Sequence, residues 1–367
     1  MAAINHLNDA RIRHGERPLD DTPQGSIRFD RLTALLSLWL VLGMFLDGWA
    51  HNTFNGSIDT FFTPWHAALY SGLAVNAAAL VGTWLLNQRR GYTWTRALPA
   101  GYMLSLLGIL IFSLAGVFDF AWHEIFGFEV DTEALLSPPH LMLATGGLLV
   151  VSGPLRAAWR SKFIDTQGRW AGLWPSLISA FGMLSIFTFF TQFSNSFQHA
   201  NTFASSGPQG DPYFWQVTTI SYVLIPAGLL MAVVLLLMRQ WTMPKGSLIL
   251  LITGNSLLMF LMGSRYSREQ WPVLIAALAG GILAEVLYAV LRPSTERIRE
   301  FRLFAFAMPL MLYLLYFAAL IANGGIWWRI PMWLGAPLLA GAIGLGLSFL
   351  ATPATVRQGQ LQDQLKS

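Results

Sequence analysis

The chain has 367 residues, 54% of them hydrophobic and 11% charged, with 23 Lys and Arg against 19 Asp and Glu and a formal net charge of +4. A soluble domain carries about a quarter charged residues, so this composition excludes a chain that covers itself with polar surface. Cysteine is absent, which removes disulfides, thiolate metal ligands and iron–sulfur clusters.

Residues 1–30 form a polar tail without the apolar core of a cleavable signal peptide, so the first helix is expected to act as an uncleaved insertion signal. Ten apolar runs follow, near 32–51, 64–87, 98–122, 139–159, 173–196, 214–238, 247–263, 272–291, 302–322 and 331–350. Each approaches the roughly twenty residues that a spanning helix needs. They predict an all-α, polytopic membrane bundle of about ten helices in five hairpins. Residues 31–212 would carry the first five helices, 213–350 the rest, and 351–367 a solvated tail.

Charge orients the bundle. Twenty of the 23 basic residues fall in the N-terminal tail, in the loops after the even-numbered helices and in the C-terminal tail. Arg265, Arg268 and Arg329 are the exceptions. The positive-inside rule then predicts a plasma (inner) membrane protein with both termini cytoplasmic. The same rule accounts for the basic balance without nucleic acid. The lipid bilayer is the expected partner.

The first two hairpins share a pattern. Asp47-x3-His51 ends helix one, and Thr63-Pro64-Trp65-His66 opens helix two. Asp119-x3-His123 ends helix three, and Ser137-Pro138-Pro139-His140 opens helix four. The histidines of each pair are separated by 14 and 16 residues. A partial copy, Asn195-x3-His199, lies in the third hairpin with no later histidine to complete it. Two full copies and one degenerate copy are the expected trace of a duplicated hairpin.

The spacing has chemical content. Residues four apart share a helix face, so each Asp can point with its His at one centre. Ser or Thr before Pro starts a helix, which puts His66 and His140 in the first turn of the returning helix with Thr63 and Ser137 as caps. Each hairpin thereby offers two imidazoles and one carboxylate on the extracytoplasmic side. Copper, non-haem iron or zinc suits such a set and keeps open coordination positions. Interfacial histidines satisfied by water are the plain alternative, but they leave Asp47 and Asp119 unexplained at a depth where an unpaired carboxylate is costly. Asn195 and His199 read as structural, since two ligands make a poor site.

Weaker features are Glu285, read as part of an ion path or as a hydrogen-bond partner of a neighbouring helix, and the acidic outer-loop residues Asp59, Glu124, Glu129, Asp131, Glu133 and Asp211. Arg265, Arg268 and Glu269 could take an anionic group or pair together.

At these residues the sequence resembles the C subunit of the copper membrane monooxygenases, the particulate methane and ammonia monooxygenases. That family carries Asp-x3-His on one membrane helix and a later histidine preceded by an Asp-Thr-x-Phe-Thr-Pro-x stretch. Asp47-x3-His51 followed by Asp59-Thr60-Phe61-Phe62-Thr63-Pro64-Trp65-His66 is similar to it, and Asp119-Phe120-Ala121-Trp122-His123 resembles the first part. Asn195-x3-His199 resembles half of a further site in that family. The resemblance implies copper at Asp47, His51 and His66, and at Asp119, His123 and His140, in a hydroxylase that oxidises small apolar substrates with dioxygen. In that family such sites belong to a multi-subunit complex, so other membrane subunits or a homo-oligomer are open as partners. The loops between histidines are longer here, two metal sets precede the asparagine motif, and ten helices exceed the family's number. Copper or zinc acquisition, delivery or sensing without catalysis stays open, as does bis-histidine haem, which would leave both aspartates without a role.

Overall fold

The computed structural model describes residues 22–54, 62–127, 131–160 and 169–352. Asp59, Glu129, the basic residues of positions 1–21, Lys162, Arg357 and Lys366 lie outside the described residues. Helices are α1 (Ile27–Thr53), α2 (Pro64–Arg89), α3 (Met103–Phe126), α4 (Asp131–Leu136), α5 (Pro138–Val151), α6 (Gly153–Arg160), α7 (Trp170–Phe190) and α8 (Pro212–Gln240). They continue as α9 (Ser247–Leu261, with a π turn at Leu250–Gly254), α10 (Arg265–Arg268), α11 (Pro272–Leu291), α12 (Ile298–Ala322) and α13 (Ile330–Ala351). No strand forms among the described residues; Ala204 and Ile326 make an isolated bridge.

Eight of these helices, α1, α2, α3, α7, α8, α11, α12 and α13, are long and apolar enough to cross a bilayer. The pair α5–α6 bends by 40° and makes a ninth if taken as one span. Pro154, just after the break, has no N–H to continue the ladder. Helix α9 rises only about 22 Å at 1.5 Å per residue, short of a hydrocarbon core of about 30 Å. The chain is therefore a multi-pass helical membrane protein.

Several boundaries move for local reasons. Helix α1 starts early because the Ser26 hydroxyl accepts the N–H of Phe29, satisfying one of the helix's orphan donors. Helix α3 starts late because Gly101 takes the left-handed region at φ +103°, which interrupts helix. Helix α7 stops at Phe190, so Asn195 and His199 lie in a segment of 3₁₀ turns (Gln192–Ser194, Ala200–Phe203) instead of on a helix. Irregular backbone buried in the bundle needs internal hydrogen-bond partners. Tyr316 Oη donates to Ser196 O at 2.7 Å, Ser196 N donates to Tyr222 O at 2.9 Å, and Trp327 Nε1 donates to Thr202 O at 2.7 Å. Helices α8 and α12 thus clamp this segment.

Helices α1, α2, α3, α5 and α7 pack round the future site, with α1 against α2 and α7, and α3 against α5. A Cβ on Gly72 would sit 2.7 Å from Leu40 Cα, and one on Gly146 would sit 2.7 Å from Phe112 N. Small residues let membrane helices meet backbone to backbone, and both ligand-bearing hairpins use the device. At the other end of α1, Tyr102 Oη donates to Asp30 at 2.6 Å and Arg156 Nε to Gly101 O at 2.9 Å.

Glu285 accepts the backbone N–H of Leu248 at 2.7 Å, so it caps the start of α9 from the neighbouring α11. Leaving that buried donor unpaired costs about 1–3 kcal/mol. Glu285→Leu is expected to lower the thermal unfolding temperature in detergent, with Glu285→Gln retaining most of it.

Candidate metal centre

Asp47 and His51 lie one turn apart near the end of α1, and Asp119 and His123 stand in the same relation near the end of α3. The returning helices bring the second histidines. Thr63 caps α2 by accepting the N–H of His66 at 3.1 Å, and its hydroxyl is also 3.0 Å from His66 Nδ1. Ser137 precedes α5 but makes no capping bond to the backbone. Pro138 and Pro139 bring no N–H to the first two helical positions, and the Ser137 hydroxyl lies 2.7 Å from His140 Nδ1. The predicted cap thus forms at Thr63, whereas Ser137 orients a ring.

These contacts turn Nε2 of His66 and His140 inward. His66 Nε2 is 3.7 Å from Asp47 Oδ2, and His123 and His140 Nε2 are 3.5 and 3.6 Å from Asp119 Oδ1. In each set the three ligand atoms lie within 4.8 Å of one another. Direct hydrogen bonds would be shorter, about 2.7–3.2 Å. Ligands held by bonds of roughly 2.0–2.2 Å to one ion stand about as far apart as the Asp–His pairs here. His123 Nδ1 is 3.3 Å from Gly127 O, an acceptor, so Nδ1 carries the hydrogen. In the neutral ring Nε2 then presents a lone pair towards the Asp119 carboxylate. Two such acceptors face each other stably only with a cation, proton or metal, between them. Asp47 Oδ1 is buried without a hydrogen-bond partner, a further acceptor in need of a positive group. The donor sets fit a metal ion.

Both sets line a single cavity of about 380 Å³. Its inner wall is apolar, with Met44, Leu69, Phe112, Leu143, Ile186 and Phe189. His199 lines it too. Burial holds its imidazole below the ordinary range, partly offset by a hydrogen bond to Gln192 O. The neutral ring donates from Nε2 to that carbonyl at 3.1 Å and stacks on Tyr222. Asn195 is not brought to the ligands: its Oδ1 accepts the N–H of Phe197 at 3.0 Å. Sequence reasoning missed Tyr70, Asn52, Gln192 and Gln198 in the cavity wall. Tyr70, one turn after His66, and Asn52, next to His51, were accessible from spacing; the two glutamines carry no pattern.

The fold and the cavity define a helical, multi-pass membrane protein with two His–carboxylate groups that could each hold a metal ion. Compared with known proteins, the chain matches no family model, and neither a curated protein nor a solved structure shows significant similarity to it.

Proposed function

We propose that the chain is a copper-binding membrane protein, a monooxygenase or monooxygenase-like subunit acting on a small apolar substrate at the extracytoplasmic side. The observation that carries this is the pair of two-histidine, one-aspartate sets facing one cavity with an apolar inner wall. Imidazole and carboxylate ligands with open positions suit copper, iron and zinc, and the motif resemblance selects copper among them. Bound copper would supply one-electron and dioxygen chemistry. The protein's own part is to hold Asp47, His51 and His66, and Asp119, His123 and His140, at fixed depth, and to offer an apolar chamber beside them. The apolar inner wall speaks against a transport path, which would need polar steps towards the other face. The edge-to-face imidazoles, 5.4 and 5.8 Å between centroids within each set, share one carboxylate side by side and so favour an ion over haem.

The distribution of basic residues favours both termini on the cytoplasmic side. The matching geometry of the two sets supports descent from a duplicated hairpin. Metal analysis with electron paramagnetic resonance on the detergent-purified protein tests the reading. Copper is expected at two ions per chain. Zinc would move the function to metal acquisition or delivery, a Soret band would move it to haem, and protein free of metal after copper loading would overturn it. Ser137→Ala frees the His140 ring, and its copper affinity is expected to fall about 10- to 100-fold in a competitive chelator titration.

A further inference from the structure

Two glycines stand side by side in α5, and packing explains only one of them. A Cβ on Gly146 would meet the backbone of α3, as a close helix crossing requires. Gly147 has no such neighbour. An added Cβ there would lie 3.5 Å from Ile186 Cδ1 and 3.7 Å from the Phe112 ring, ordinary contact distances. The position is inside a regular helix, where glycine is less favourable than alanine. What the missing side chain leaves is room, because Gly147, Ile186 and Phe112 all line the cavity that holds the ligand sets. That room is about one methyl group wide, since the added Cβ would already touch both neighbours.

The helices set its depth. His140, Leu143 and Gly147 follow one another at spacings of three and four, share a face of α5, and all line the cavity. Leu40 and Asp47 stand seven residues apart on α1 and line it too. Seven residues rise roughly 10 Å, so the chamber runs about two turns inward from the ligands along both helices. Leu40, Phe112, Gly147 and Ile186 are each the residue furthest from the ligand end that their helix brings to the cavity. Together they make its floor, and the floor is apolar. We propose that Gly147 fixes how deeply a straight hydrocarbon chain enters: its terminal methyl sits between Phe112 and Ile186 against Gly147, and this seat decides which carbon lies beside the ligand sets. A ring is too broad for the seat. The seat presupposes the apolar-substrate reading of the chamber, whichever metal is bound.

The test uses a straight-chain photoprobe, 2-octyl diazirine, whose carbene forms next to a terminal methyl and inserts into the side chains it touches. A ring probe, cyclohexyl diazirine, is the comparison. Each is photolysed with the full chain in lipid nanodiscs after treatment with chelator, and adducts are located by peptide mass spectrometry. Exposed apolar positions such as Leu107 give the lipid background. In the wild type the chain probe is expected to mark Phe112 and Ile186 above that background, and the ring probe only the level of Met44 and Leu69. Gly147→Ala puts a methyl in the seat, so floor adducts of the chain probe should fall about fourfold while those at Met44 and Leu69 persist. Adding Ile186→Val, which removes the Cδ1 beside the seat, should restore the adducts at Phe112. Floor adducts unchanged by Gly147→Ala, or equal marking of the floor by ring and chain, would overturn this inference alone. No chamber adduct from either probe would overturn it together with the apolar-substrate reading. Metal content measured on the same preparation before chelation decides the copper reading separately.

Discussion

On the proposed copper reading, Asp119→Ala is expected to reduce the metal bound by the purified protein from two ions per chain to one, with affinity at the altered set falling by more than about 100-fold. Removing groups that merely orient metal ligands already costs 10- to 100-fold, and Asp119 is itself a candidate ligand. It is 1% exposed and is shared by His123 and His140 at 3.5 and 3.6 Å. Alanine leaves two neutral imidazoles and no anion to balance the ion's charge. Asp119→Asn should fall between the two, since it keeps an oxygen but loses the charge. Unfolding is separated from site loss by the chelated protein: a desolvated carboxylate is a cost, so its removal should leave metal-free thermal stability unchanged or raised. Asp47→Ala should remove the other ion, and the double variant both. Metal content of Asp119→Ala equal to wild type would sink the assignment of this set.

How much of this was legible in the sequence follows from where each residue stands. Asp47/His51 and Asp119/His123 were readable because both members sit on one helix, where spacing alone fixes the shared face. His66 and His140 were readable because proline marks the helix start, placing each in the first turn. The common chamber was not readable. It depends on α1 packing against α5 and α7, contacts between segments far apart in the chain. The glutamine wall was hidden for a related reason. Continued hydrophobicity through Phe189 and Phe190 predicted helix to residue 196, but the chain leaves helix at Thr191. The tertiary partners that satisfy the resulting turns, Tyr222, Tyr316 and Trp327, come from elements much later in the sequence. The apolar length of 247–263 likewise predicted a full span, whereas α9 is short and depends on Glu285 for its first turn.

Gly146→Val will dismantle the second ligand set without touching any ligand. A Cβ at Gly146 would lie 2.7 Å from Phe112 N and 2.9 Å from Gly108 O, and one at Gly108 would lie 2.7 Å from Gly146 O. The obstacle on each side is backbone, which cannot rotate aside as a side chain can. Valine must therefore push α5 away from α3, at about 1–3 kcal/mol or more. Asp119 and His123 ride together on α3, but the 3.6 Å approach of His140 to Asp119 spans the two helices. A shift of an ångström there matters more than any loss of bulk stability, because ligation tolerates far less. The first set, on α1 and α2, crosses at Gly43 and Gly72 and should keep its ion. Gly147→Ala is the control: the neighbouring position meets nothing nearer than 3.5 Å, so both ions and the unfolding temperature should be retained. Thermal unfolding and metal content of the two variants decide the matter. If Gly146→Val keeps both ions and wild-type stability, α3 and α5 do not meet backbone to backbone, and the second set is not built by their contact.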